Sequence, residues 1–315
     1  MPKYSFLLPA FKGRFLDEML RSIQGQTYTD FKVIISDDCS PEDLRSICEP
    51  YLKDPRFTYR RNAENMGSKS LVSHWNLLVD MCDTEFLIMA SDDDVYEPEF
   101  LTEIDKLTVK YPNVDLFRGK MKCINEKGEV LVCDPVIAEY LDQTHFFYNY
   151  YTSNILTCEA NYVYRTESLK EHGNYKELPL AWFTDDLTHI VMSEKGCATT
   201  NTILFSYRNS PISISNTWGK EKDAEKKIAA SIKFWDWIDE YVNVIKDSDE
   251  KSLKTIAMRS CKNKVRSVIT TYSQFLTLKD FYKHIPVCCK SLNMSIIILT
   301  YSWLRIYLHK IIHQN

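Results

Sequence analysis

Three clusters of carboxylates carry most of the chemistry open to this 315-residue chain. Asp37-Asp38 follows the apolar run Phe31–Ile35, Asp92-Asp93-Asp94 follows Glu85–Met89, and Asp185-Asp186 opens a helix-like stretch. Adjacent carboxylates repel one another unless a cation or hydrogen-bond donors compensate them. Oxygen-rich groups of this kind suit Mg2+ or Mn2+, which complete their shells with water and substrate phosphates. Asp92–Asp94 therefore reads as a metal site for a diphosphate, Asp38 as an acceptor for a base N–H, and Asp186 as a general base. Each has a plainer alternative: a solvated turn before the Pro98 helix, a cap before Pro41, and acids in a first helical turn.

The elements that must position these residues follow from the hydrophobic pattern. Short apolar runs at Tyr4–Pro9, Phe31–Ile35, Phe57–Arg61, Glu85–Met89 and Val114–Ile124 read as strands. Helical periodicity separates them over Phe15–Ile23, Pro41–Leu52 (Ser40 as N-cap), Ser68–Cys82 and Pro98–Tyr111. Strands alternating with helices of this length predict a parallel α/β sheet with right-handed crossovers. Ligands bind at the carboxyl ends of such strands, so the first two acidic clusters should share one rim. Asn125-Glu-Lys-Gly128 predicts a hairpin, Asn161–Arg165 a strand and Asp185–Ser193 a helix. Beyond about Trp218 the pattern is helical, with apolar residues from Ile228 to Ile245 at three- and four-residue intervals, then helices over about Leu253–Tyr272 and Ser295–His313.

Composition narrows the options. With 8 Gly and neither G-x-G-x-x-G nor G-x-x-x-x-G-K-[ST], a Gly-rich phosphate cradle is not expected. The 10 Cys lack C-x-x-C spacing and several sit in apolar runs. With no leader-like segment before the first strand, they read as reduced thiols of a cytoplasmic protein rather than disulfides or a zinc site. Residues 251–315 hold eleven Lys/Arg and one acid, Asp280; that segment is +10 and the remainder −14. A basic amphipathic tail suggests peripheral contact with an anionic membrane at its inner face. The alternative packs it on the core or on a second subunit, giving a homodimer. The run Ile296–Leu299 is too short for a transmembrane span. No RNA-binding signature accompanies the charge, so nucleic acid is not expected as a partner.

The stretches YSFLLPAF, IISDDCS, ENMGSKSLVSHWN and EFLIMASDDDVYEPEFL resemble, in order and spacing, the nucleotide-binding half of family 2 glycosyltransferases. A weaker likeness continues through NYVYRTESLKEHGNY and FTDDLTHIV to about residue 216. The resemblance implies a GT-A fold over residues 1–216, with a nucleotide-binding half (1–124) and an acceptor half (125–216), followed by a helical region, 217–315. It also implies transfer of one sugar, with inversion, from a nucleotide-diphosphate sugar (UDP by default) to a glycan or lipid-linked glycan acceptor. A product in bacterial surface polysaccharide is expected. Pro9, Ala10 and Phe11 would line the base pocket and Asp38 would pair with the base. Lys69 would approach the pyrophosphate, Asp92 the ribose and metal, Asp93 would ligate Mn2+ or Mg2+ with Asp94 alongside, and Asp186 would be the catalytic base.

Two departures matter. The family's Glu-Asp pair is Asp185-Asp186 here, and Tyr207-Arg208 is followed by Asn209, not by a His that could ligate metal. The rival readings are a sugar-nucleotide nucleotidyltransferase, whose Gly-rich loop Ala10–Arg14 poorly imitates, and a glycoside hydrolase, which leaves the base-pocket motif unexplained. A non-catalytic membrane-peripheral binding protein is the third.

Overall fold

The computed structural model describes residues 2–210, 221–243 and 251–313. Its first half runs β1 (Tyr4–Ala10), α1 (Leu16–Gln24), β2 (Phe31–Asp37), α2 (Leu44–Cys48), β3 (Phe57–Arg61), α3 (Gly67–Met81), β4 (Phe86–Met89), β5 (Val95–Tyr96), α4 (Phe100–Lys110) and β6 (Leu116–Ile124). It continues with β7 (Val130–Cys133), β8 (Tyr140–Leu141), α5 (Gln143–Tyr151), β9 (Tyr162–Arg165), α6 (Thr166–Glu171), α7 (Thr184–Met192) and β10 (Cys197–Arg208). Four helices follow: α8 (Glu221–Tyr241), α9 (Lys251–Ser273), α10 (Leu278–Ser291) and α11 (Ile296–His313).

These strands form one sheet in the order β3-β2-β1-β4-β9-β6-β10-β5, with β7 on β6 and β8 on β10. β1 pairs in parallel with both β2 and β4, and β2 with β3. The sheet is mostly parallel in its first half, as expected, and β9 lies antiparallel between β4 and β6. The chain reaches β9 from β6 by way of β7, β8 and α5. It enters β9 through a short turn, Glu159–Asn161, and runs opposite to both neighbours.

Side chains alternate across the sheet and feed two apolar cores. Tyr4, Phe6 and Leu8 join Leu16, Met19, Leu20 and Leu101 from α1 and α4. Leu7, Leu87 and Met89 join a cluster that runs through α3 and α5 into α8, α9 and α10. The C-terminal helices thus pack on the sheet's own core.

Several boundaries differ from the sequence reading. The Pro41–Leu52 helix shrinks to α2, capped by Asp43, because Ser40 Oγ donates to the Phe11 carbonyl and holds the chain in a turn. α10 was not anticipated; Pro286 inside it breaks the pattern that would mark it. The hairpin at Asn125–Gly128 forms, with Gly128 at φ +82°. Residues 211–216 and Ile245, which carried parts of the sequence argument, lie outside the described residues.

Gly119 on β6 lies under Phe100 of α4, and a Cβ there would sit 2.4 Å from the ring. Gly119→Ala is expected to cost about 1–3 kcal/mol through overpacking, measured as a lower denaturant midpoint with unchanged slope.

Candidate functional site

The parallel pairing of β1 with β2 and β4 brings three strand ends to one rim. Ala10 is level with Asp37, and the Asp38 N–H donates to the Ala10 carbonyl at 2.9 Å. The chain leaves β1 through half-buried Pro9, fully buried Ala10 and Phe11, which is 36 % exposed. Phe11 is thus the most open of the three residues expected to line a base pocket.

Asp92 closes this loop. Its Oδ2 accepts from the backbone N–H groups of Phe11 (2.9 Å) and Lys12 (2.8 Å). The Lys12 ammonium lies 3.7 Å from Asp92 Oδ1 and 3.6 Å from Asp93 Oδ2. Burial, first, and the Asp93 charge push the Asp92 carboxyl up, against the pull of Lys12. Asp93 also accepts from Ser91 Oγ at 2.6 Å. A cationic group already stands between two carboxylate oxygens, so this pair fits a hard divalent ion.

Asp94 does not join that pair. Its Oδ1 accepts from the Arg208 N–H at 2.8 Å, and the Cys158 thiol points at its Oδ2 from 3.7 Å. Burial, then the neighbouring Asp93 charge, raise its carboxyl well above the ordinary range. Arg208, which is 2 % exposed, donates to the Asp93 carbonyl (2.9 Å) and to Glu18 (2.7 Å), tying the end of β10 to the acidic turn. Among the described residues no three acidic, His or Cys side chains converge as a metal cage. Water and substrate oxygens would have to complete a shell begun by Asp92 and Asp93.

Asp38 and Lys69 both have partners within the fold. Asp38 Oδ1 accepts from Asn62 Nδ2 and the Met66 N–H, both at 2.9 Å, and Oδ2 accepts from the Gly67 N–H at 2.7 Å. Both oxygens are thus engaged in anchoring the start of α3. Lys69 is exposed in that first turn and pairs with Glu64 at 2.7 Å. Asp37 accepts from Tyr59, Arg61 and the Ser40 N–H and is wholly buried.

The acid pair arrives from elsewhere. Leu180, Ala181 and Phe183 all have positive φ (62°, 54° and 67°) just before α7. Such strain persists only where packing over-determines it and clusters at working sites. Phe183 stacks on Phe234 of α8, with centroids 4.5 Å apart at 10°. Asp186 Oδ1 accepts from Lys264 Nζ of α9 at 2.6 Å. Burial, then the Asp186 charge, push Asp185 up to about 7. Behind the pair, His189 is fully buried, stacked on Tyr162 (3.7 Å) and bonded to Tyr150 (2.9 Å), a packed structural histidine. The segment Cys158–Glu159 links the clusters: the Cys158 thiol is raised by burial first, then by Asp94 and also by Asp185.

Sequence reasoning missed Lys12, Cys158, Arg208 and Lys264 as members of this site. Lys12 follows the base-pocket motif directly and could have been found. The others reach the acids only through folding.

Because Asp38 anchors α3 with both oxygens, Asp38→Asn should destabilise the ligand-free protein by about 1–3 kcal/mol. A lower thermal midpoint without nucleotide is the check; an unchanged midpoint would leave base recognition as the sole task of Asp38.

The profile described as Glycosyl transferase family 2 matches residues 5–171. TarS of Staphylococcus aureus, a poly(ribitol-phosphate) beta-N-acetylglucosaminyltransferase, is 25% identical over 179 residues, 56% of this chain and 30% of TarS. The GalNAc(5)-diNAcBac-PP-undecaprenol beta-1,3-glucosyltransferase of Campylobacter jejuni is 32% identical over 96 residues, 30% of each protein. This chain therefore spans about a third of the length of these curated relatives. Among solved structures, TarS with UDP-GlcNAc superposes with a TM-score of 0.60 at 13% identity, covering 98% of this chain and 92% of that one. The mannosyltransferase PcManGT of Pyrobaculum calidifontis, bound to GDP-Man and Mn2+, gives 0.56 at 12% identity over 100% and 88%. The matched profile covers more than half of the chain and the structural likeness spans all of it: the protein is a family 2 glycosyltransferase with a GT-A fold.

Proposed function

We propose that this enzyme moves one sugar from a nucleotide-diphosphate sugar to an acceptor hydroxyl with inversion, aided by a divalent cation. The observation that carries the reading is the cation position bounded by Asp92 and Asp93 beside the loop from Pro9 to Phe11. A metal held by that pair would draw charge off the leaving nucleotide diphosphate. The loop takes the base, and Asp94 keeps the turn in place through Arg208. Asp186 takes the proton from the acceptor oxygen as it attacks, worth about 10²–10⁴ in rate. Holding donor and acceptor in line supplies much of the remainder. UDP is the first nucleotide to test because TarS is solved with UDP-GlcNAc, and GDP the second because PcManGT binds GDP-Man. The names of TarS and the Campylobacter relative support an acceptor in surface glycan, polymeric or lipid-linked.

A peripheral membrane contact belongs to the same reading, narrowed to α10 and α11. Ile297, Ile298, Tyr301 and Tyr282 are each more than 60 % exposed, and Lys279, Lys290 and Arg305 lie exposed near them in sequence. Three of the segment's eleven cations are engaged internally: Lys264 with Asp186, Lys283 with Glu225, and Arg266 with the Leu292 carbonyl. No helix among the described residues is long and apolar enough to cross a membrane. Anionic vesicles should pellet the protein at low salt and release it at high salt. No pelleting, with a concentration-dependent dimer instead, would assign the face to a second copy.

Thermal midpoints with UDP, GDP, CMP and dTDP, each with Mn2+, Mg2+ or EDTA, test the donor site. A ligand at 100 times its Kd stabilises by about 2.7 kcal/mol. One nucleotide should give a metal-dependent shift that Asp93→Asn abolishes. Asp186→Asn should keep that shift and lose turnover by about 10²–10⁴. Absence of any shift would sink the donor assignment, and normal turnover of Asp186→Asn would sink the base assignment.

A further inference from the structure

The acid pair on α7 is completed by a residue that lies well beyond the family-matched residues 5–171. Lys264 projects from α9 onto Asp186 and engages only Oδ1. The other oxygen is left to take a proton. Three rings surround the ammonium: Phe183 at 5.4 Å, Tyr151 at 5.6 Å and Tyr150 at 5.7 Å. Ring faces at this range attract and orient a cation. Lys264 is thus held from three sides while it holds the carboxylate.

The charges around the pair explain why a cation is needed there. Tyr150 and Tyr151 of α5 and Cys261 of α9 face the acids, and burial raises all three, keeping them neutral. Glu159, His189, Tyr175 and Cys158 also bear on Asp185, His189 through a ring already bonded to Tyr150. Among these groups Lys264 is the permanent cation. Two buried adjacent acids with no cation relieve their repulsion by taking up a proton.

We infer that Lys264 is a positioning residue for the transfer: it fixes the orientation and the charge of the Asp185-Asp186 pair so that Asp186 meets the acceptor as a carboxylate. The inference rests on Asp186 being the base. It makes α9 part of the transfer machinery rather than an appended support.

The test compares Lys264→Met, Lys264→Arg and Asp186→Asn in the full chain. Nucleotide release is followed from UDP-GlcNAc or GDP-mannose, whichever the wild type turns over, with water as acceptor. Lys264→Met should lower kcat at neutral pH about ten-fold or more and move the acidic limb of kcat to higher pH by about 1–3 units. Donor KM should stay unchanged, and Lys264→Arg should restore most of the loss. A second readout needs no donor. The thermal midpoint of Lys264→Met should fall further below wild type as pH rises between roughly 5 and 8, since two unpaired acids are then forced to ionise. Adding Asp186→Asn should reduce that pH dependence, leaving the part due to the burial of Asp185. If Lys264→Met keeps the wild-type kcat, pH profile and midpoint while Asp186→Asn is inactive, the role of Lys264 is overturned and Asp186 remains the base. If Asp186→Asn turns over normally, the base assignment fails first and the inference falls with it.

Discussion

Seven aspartates stand at the carboxylate clusters of this protein, most of them buried, and burial acts on every one. The cost of placing a carboxylate in a low-dielectric interior is so large that each is met by hydrogen-bond donors or a cation, or has its carboxyl raised toward the neutral form. The structure meets it residue by residue. Asp37 has Arg61 and Tyr59, Asp38 has the start of α3, and Asp92 has the backbone of the loop after β1. Lys12 stands between Asp92 and Asp93, Arg208 donates its N–H to Asp94, and Lys264 pairs with Asp186. Much of the local architecture exists to supply these partners.

This constraint distinguishes the acids by the partners they have. Asp37, Asp38 and Asp94 have both oxygens occupied by the fold itself. Asp92 and Asp93 share the Lys12 ammonium, which lies 3.7 and 3.6 Å from them. Asp185 is left with a carboxyl raised to about 7, beside a partner held by a lysine. Two neighbouring acids with different surroundings are the usual arrangement where one must act as a base.

The C-terminal helices enter through the same logic. α8 stacks Phe234 on the strained Phe183, and α9 delivers Lys264, so the acid-bearing turn is over-determined from outside the sheet. The apolar core that includes Leu7 and Met89 continues without a break into Ile228, Val265 and Ile285. The helical region is therefore bonded to the site by packing as well as by charge.

Local chemistry decided what could be read early. Strand and helix periodicity marked β1 to β4 and the helices between them, because a buried run needs apolar side chains wherever it pairs. The acidic turns at Asp38 and Asp92 were legible because they directly follow strands whose direction is set by the crossover rule. The hairpin at Gly128 was legible because its left-handed φ suits glycine. The antiparallel β9, the closure of the Asp92 turn by Arg208 and the pairing of Lys264 with Asp186 span up to 115 residues of chain. No periodicity encodes such contacts; they are chosen when separate elements compete to bury apolar surface and to compensate charge. Sequence alone determined which residues could do chemistry and which rim would hold the first two clusters. Only the tertiary structure decided which partners each of those carboxylates meets, because those partners come from elements distant in sequence.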